Sequence, residues 1–376
     1  MMLSDFGGFP PAAAAATRRI ADLQSLRQAV TDCVRRRSRI RARCFSHSMN
    51  GMSVPAEGET VLDMTGVRHL VWKGEGIVVA GAGLSVWELD QYVRGFGWKL
   101  PVINDGSAEA PSLGGFVAAG GIGEGTVFHG GFWETVRGLT LVTGDGEERR
   151  LSPQDPLFHW VFGAMGGLGL VYEIEIELVP VDHVPPRPVT PSAALPRGPQ
   201  AQWPDHLWLT LFVPEARRDE GAERLGALVE AHPKAWIPRG PYEYYLSCQS
   251  FNPPLVLGDE HGDFVALGVW GDGLDRRNLD AYSAMEADFQ AMVEACGFRR
   301  YFQSEMIRRR RPLESYVGAA CAERFRALKA TLDPLSLLNA FMPQRAAGAA
   351  RGQVTAHGAA RLGDGGTARP LSRAFD

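Results

Sequence analysis

Residues 106–131, GSAEAPSLGGFVAAGGIGEGTVFHGG, constrain this 376-residue chain more than any other stretch. Nine of these 26 residues are glycine. Glycine lets backbone N–H groups crowd against a neighbour and reaches backbone angles closed to other residues. A flexible linker would be polar and rich in Gly and Ser. Here Leu113, Phe116, Val117, Ile122, Val127 and Phe128 are interleaved with the glycines, and Phe132 and Trp133 follow directly. Those side chains need a core. The stretch therefore reads as a buried loop whose backbone donors must find partners. An extended ligand carrying a pyrophosphate and a polar heterocycle would satisfy them.

Composition narrows the setting. With 45% apolar and 22% charged residues, the chain can bury a sizeable core as one large domain or two ordinary ones. A net charge of −4 gives no basic face for nucleic acid. No apolar run approaches the ~20 residues that span a bilayer, and no signal peptide is evident. Cys33, Cys44, Cys248, Cys296 and Cys321 are scattered and odd in number. They read as reduced thiols in a cytoplasmic protein, with no metal site expected.

Local patterns place the elements. Residues 12–20 predict a short strand. A helix follows, with Leu23, Leu26, Ala29, Val30 and Cys33 at helical spacing. Further strands are expected from Ile40, Val61 and Ile77, the last ending in the Gly81-Ala82-Gly83 turn. Ser85 and Glu88 form a capping box for a helix that buries Val86, Leu89 and Val93. Gly144-Asp145-Gly146-Glu147 marks a hairpin, and Asp155-Pro156 starts a helix as N-cap and first residue. After Leu170, Tyr172, Ile174, Ile176 and Leu178 alternate with three glutamates, as a strand with one wet face requires. Proline-rich residues 180–204 read as a boundary. Beyond it, strands are expected at 206–213 and 264–270, and helices at 220–231, 279–296 and 314–332. Trp236, Tyr242, Tyr244, Tyr245 and Phe251 make an aromatic patch. Arg308 to Arg311 form a run that serves as a solvated face or meets an anion. Residues after 345 are poor in bulky apolar groups and are expected to be disordered.

The motifs in order are R-x-R…H-S, a Gly-x-Gly turn, S-L-G-G-x-x-A-x-G-G-x-G, T-G-D-G-E, D-P-L-F, G-G-L-G-L-V and a late L-D-P-L-S-L-L-N. This set resembles the FAD-linked oxidases of the vanillyl-alcohol oxidase and p-cresol methylhydroxylase type. Within that family the resemblance points to cytokinin dehydrogenases and their bacterial relatives. It implies an α+β protein with an FAD-binding domain of two subdomains and a cap domain of antiparallel sheet and helices. On this reading residues 1–181 bind FAD, 182–311 form the cap, 312–345 return to the FAD domain and 346–376 are a tail.

The resemblance also implies site residues. Arg43-Cys44-Phe45-Ser46-His47-Ser48 stands where the family reads R-G-x-G-H-S, with both glycines replaced. Arg43, Ser46, His47, Ser48 and Gly51 would face the pyrophosphate. His47 falls where a histidine often bonds covalently to the flavin; the alternatives are a non-covalent contact or a buried histidine. Ala110 stands at the position of a second, cysteine link. Ser107, Ser112, Leu113, Gly114, Gly115, Ala118, Gly120, Gly121 and Ile122 would cradle the cofactor. Val171 would meet the adenine, and Asn339 would reach the flavin ring. Cytokinin dehydrogenases place their base where Ser107 stands, so Glu109 becomes the candidate base, with Asp105 a turn residue. Tyr244 and Tyr245, with Trp208, line the substrate side or belong to the core. The implied activity is FAD-dependent abstraction of hydride from a C–H next to O or N of a small organic molecule. Oxygen or another acceptor would reoxidise the flavin. A flavin-containing isomerase or cyclase, and a non-catalytic binding protein, are the rivals.

Overall fold

The computed structural model describes residues 2–5, 11–104, 111–183, 206–233, 235, 237–246, 250–258, 262–272, 279–302 and 311–339. Near the N-terminus, strands β1 (Ala16–Arg19), β2 (Ile40–Arg43) and β3 (Thr60–Asp63) form a parallel sheet in the order β1-β3-β2. Helix α1 (Leu23–Arg36) connects the first two. Its start is set by Asp22, whose carboxylate accepts the Ser25 N–H at 2.7 Å while Ser25 caps in return. Leu26, Ala29, Val30 and Cys33 turn inward to meet Ile20, Ile40 and Leu62. The expected strand over 12–20 is split, with Ala12–Ala13 pairing instead with Met2–Leu3.

A second, antiparallel sheet contains β4 (Leu70–Gly74), β5 (Ile77–Gly81), β6 (Val136–Val142), β7 (Glu148–Leu151) and β8 (Leu170–Glu177), in the order β7-β6-β8-β5-β4. The alternation in β8 does what it predicts. Ile174 and Ile176 are fully buried, and Glu173, Glu175 and Glu177 keep contact with solvent. Each isoleucine buried this way contributes about 1.5–3 kcal/mol. Helix α2 (Val86–Arg94) begins at the Ser85–Glu88 capping box and buries Val86, Leu89 and Val93. Helix α3 (Leu113–Ala119) and helix α4 (Pro156–Val161) complete this layer. Asp155 is the N-cap residue of α4 and Pro156 its first residue, as expected, but the Asp155 side chain makes no capping bond. Its carboxylate turns back to accept the Ser152 N–H at 2.7 Å and the Ser152 hydroxyl at 2.8 Å.

A third, antiparallel sheet runs β10-β11-β9-β12, from β9 (His206–Pro214), β10 (Ile237–Leu246), β11 (Phe264–Asp272) and β12 (Arg299–Arg300). The two-residue period divides its faces. Leu209, Leu211, Val213, Val265, Leu267 and Val269 pack under helices α5 (Arg218–Ala231) and α6 (Leu279–Cys296). Phe212, Leu246, Phe264 and Ala266 point the other way and join the core of the five-stranded sheet. Strand β10 contains Pro238 and Pro241, which cannot donate to a ladder. It lies at the sheet edge and carries a bulge between Pro238 and Gly240, the setting in which a strand tolerates proline.

The single helix expected over 314–332 is two pieces, a turn at Glu314–Val317 and helix α7 (Ala319–Leu332). Gly318 breaks it with φ 80°. After α7 the chain lies beside β2, where Ile40 bridges Leu338 in parallel.

Candidate functional site

The glycine-rich stretch contains a helix where a loop was expected. Ser112 is the N-cap of α3, its hydroxyl accepting the Gly115 N–H at 3.1 Å. The Leu113 N–H donates to the Leu84 carbonyl at 2.8 Å and the Gly114 N–H to the Ala82 carbonyl at 3.0 Å. The first-turn amides are therefore spent within the protein rather than on an anion. Gly114 lets the helix approach this closely, while Gly81 and Gly83 let the turn pack on Val67 and Met64. A methyl group on Gly83 would stand 2.1 Å from the Met64 carbonyl oxygen, and one on Gly114 2.8 Å from Ala82 Cβ. What α3 does offer is an open face of small residues, with Gly115 exposed and Ala118 half-buried.

The loop after β2 meets the start of α3. Cys44 is the junction, its thiol donating to the Gly83 carbonyl at 3.6 Å and touching Ser112. Burial pushes that thiol up to about 12, so it is a neutral packing group. Ser46, in the place of a family glycine, has φ 61°. The backbone there keeps the left-handed conformation for which glycine is the easy residue. His47 and Ser48 are half-buried beside it. The Ser48 hydroxyl accepts the Met52 N–H at 3.0 Å and donates to Asn50 Oδ1 at 3.0 Å. Buried Asp5 holds the far end, accepting the Gly51 N–H at 2.8 Å and the Ser48 hydroxyl at 3.3 Å. Arg43 donates to the Ser53 carbonyl at 2.9 Å, and burial lowers its guanidinium from the usual arginine range.

The C-terminal end of α3 meets other elements. Gly120 takes the left-handed C-cap with φ 67°. Gly121 and Ile122 follow it, both buried. The Ala118 carbonyl accepts the Met165 N–H at 2.9 Å. Val171 is buried in β8, in register with Leu141. Asn339 is also buried, but its amide is held within the protein, between Arg41 and the Met165 carbonyl. Thus the 43–51 loop, α3 and Gly120 to Ile122 form one neighbourhood, and Asn339 reaches it through Met165.

Asp105, Ser107, Glu109 and Ala110 lie outside the described residues. The backbone of Tyr244 pairs in register with Ala266 and that of Tyr245 with Val265. Tyr245 packs on the helix-side core, where burial and then Glu243 raise its phenol.

Sequence reasoning missed three residues here. Tyr301 is buried on the inward side, edge-on to Phe212 at 5.5 Å, and burial raises its phenol. Glu134, just after the glycine stretch, accepts the Ser250 N–H at 3.0 Å and its hydroxyl at 2.8 Å, and burial raises its carboxyl. Asp5 is the third. None sits in a local pattern that marks it, because each acts on a partner far along the chain. Among the described residues no cluster of His, Cys, Asp and Glu could hold a metal, and no helix is long and apolar enough to cross a membrane.

Comparison with known proteins bears on the same segment. Residues 14–152 match the family described as the FAD binding domain. Over 107 residues the chain is 35% identical to alditol oxidase of a Streptomyces species, covering 28% of this chain and 25% of that protein. Over 130 residues it is 29% identical to decaprenylphosphoryl-beta-D-ribose oxidase of Mycolicibacterium smegmatis, covering 33% and 28%. The matched segments span about a quarter of the length of these relatives. The N-terminal part of the chain thus matches an FAD-binding domain, and it resembles the FAD-linked oxidases of the vanillyl-alcohol oxidase and p-cresol methylhydroxylase type.

Proposed function

We propose that this chain is an FAD-dependent oxidoreductase that takes hydride from a C–H next to O or N of a small organic molecule and passes electrons to oxygen or another acceptor. The observation that carries the reading is the junction of the 43–51 loop with α3 at Cys44, inside the segment matching an FAD-binding domain. The residues present fit the cofactor. The loop keeps a left-handed turn at Ser46 without a glycine at that position, and α3 shows Gly115 and Ala118 on its open face, where neither residue carries a side chain longer than a methyl. When bound, the flavin supplies the hydride acceptor.

The chain's own residues would do the rest. Arg43, Ser46, His47, Ser48 and Gly51 hold the phosphates, and His47 forms the bond to the ring. Gly115, Ala118, Gly120, Gly121 and Ile122 border the cofactor, Val171 meets the adenine end, and Glu109 takes the substrate proton. The inward face of the β10-β11-β9-β12 sheet covers the substrate side, with Tyr244 and Tyr245 as candidate substrate contacts. Residues 1–181 and 312–345 form the cofactor domain, and 182–311 the cap. Both relatives are named as oxidases of hydroxyl-bearing compounds, which favours an alcohol carbon as hydride donor over an amine. The test is a visible spectrum of the purified protein before and after acid precipitation, then an anaerobic screen of polyols, sugars and amines read by flavin bleaching. Bleaching by a hydroxylated compound is expected. Bound flavin that no compound reduces would refute the oxidoreductase reading, and release of all flavin by acid would refute the His47 bond.

A further inference from the structure

Arg41 lies in β2, one strand position short of the loop, and its side chain is only 2% exposed. Its Nε and Nη2 hold the two oxygens of buried Glu59 at 2.9 and 3.0 Å. Its Nη1 donates to the Met52 carbonyl at 2.9 Å and to Asn339 Oδ1 at 2.6 Å. Arginine carries donors only, so the amide oxygen of Asn339 must face it. The amide nitrogen is thereby aimed at the Met165 carbonyl, to which it donates. Met165 in turn donates its N–H to Ala118 in α3. Met165 and Asn339 both hold left-handed backbones without being glycine, φ 50° and 36°. Such backbones persist only where their surroundings fix them. Lys329 grips the same segment from the other side, donating to the Gly167 carbonyl at 2.8 Å and the Leu338 carbonyl at 2.9 Å.

We propose that Arg41 is a positioning residue of the flavin site. Acting through Asn339, it holds Met165, and with it the C-terminal end of α3, in place. Glu59 neutralises its charge, so its contribution is orientation: a planar fork that fixes which way one buried amide points. A buried ion pair is a poor source of net stability but a good one of defined geometry. The assignment to the flavin rests on the function proposed above; the coupling from Arg41 to Met165 does not.

The experiment compares Arg41→Lys, Asn339→Ala and the double variant. Lysine keeps the charge beside Glu59 but lacks the fork that reaches Asn339 as well. Two quantities are read: the FAD dissociation constant, and the hydrogen-exchange rate of the Met165 amide in the FAD-free protein. Each single variant should weaken FAD binding about tenfold and the double should weaken it no further, as expected of groups in one hydrogen-bonded chain. Met165 exchange should quicken in both. A merely structural Arg41 would lower the unfolding midpoint while FAD affinity stayed within about twofold of the parent, which would overturn the proposal, as would multiplying effects in the double variant. If Arg41→Lys fails to fold, Asn339→Ala, which leaves the Arg41–Glu59 pair whole, decides by the same two readouts. Should the parent bind no FAD, the flavin reading falls, and unchanged Met165 exchange would sink the coupling separately.

Discussion

Gly120→Ala tests how the glycine-rich stretch is seated. Gly120 closes α3 with φ 67°, its N–H donating to the Phe116 and Val117 carbonyls. A methyl group built there lies 2.4 Å from Val256 Cγ2 and 3.3 Å from the Gly163 nitrogen. Two costs follow. Alanine in the left-handed region costs about 1–2 kcal/mol, and overpacking a filled site costs about 1–3 kcal/mol. Alanine's lower freedom in the unfolded chain returns roughly 0.5–1 kcal/mol. The net expectation is a loss of about 1–4.5 kcal/mol in urea unfolding. Val256→Ala alone should cost about 2 kcal/mol, for two buried methyls and the cavity they leave. It also removes the clashing atom. The double variant should therefore be more stable than the two losses added together, by about 1–3 kcal/mol. Strictly additive losses would mean that Val256 does not sit on the C-cap, and the account of how residues 250–258 dock on α3 would be wrong.

Three further outcomes are expected. Ser46→Gly relieves a left-handed serine worth about 1 kcal/mol, largely offset by glycine's freedom when unfolded, so stability should hold or rise slightly and FAD affinity should not fall; a loss above about 1 kcal/mol would contradict the φ at Ser46. The Glu134 carboxyl is raised above its ordinary 4.5 by burial, so the native state holds its proton more tightly than the unfolded one. The parent's stability should then fall as pH climbs from that ordinary value through the raised one. Glu134→Gln should lose this slope, and equal slopes for parent and variant in urea titrations at a series of pH values would remove Glu134 from the account. Glu109→Gln should slow anaerobic flavin reduction by about 10²–10⁴-fold with FAD binding unchanged; reduction within a few-fold of the parent in stopped flow would shift the proton acceptor to the inward face of the cap sheet.

Much of the fold was legible because it is local. The Ser85–Glu88 box, the Gly144–Glu147 turn and the alternation through Ile174 and Ile176 each need only neighbouring residues, and each is realised. The losses have physical causes. Strand β10 was hidden by Pro238 and Pro241, which disqualify a central strand but not an edge strand with a bulge. Helix α3 was hidden by glycines that weaken helix propensity, and tertiary contacts with Ala82 and Leu84 override that weakness. Asp155 takes the N-cap position as read, but its carboxylate bonds back to Ser152 rather than to the helix. The site was legible as two segments, 43–51 and 112–122, whose meeting at Cys44 is tertiary. Asp5, Glu134 and Tyr301 carry no local signature, and Arg41, though part of the R-x-R motif, finds its partners 11 to 298 residues away.

The central claim is that the N-terminal part of this chain binds FAD where the 43–51 loop meets α3. Its most direct measurement is a titration of the purified, flavin-depleted chain with FAD, followed by flavin fluorescence and the visible spectrum. The account predicts saturable binding with a shifted, structured flavin band, lost when bulk is placed on the open face of α3 by Gly115→Leu while the far-ultraviolet circular dichroism stays that of the parent. A Gly115→Leu protein that is folded and binds FAD as tightly as the parent would contradict it.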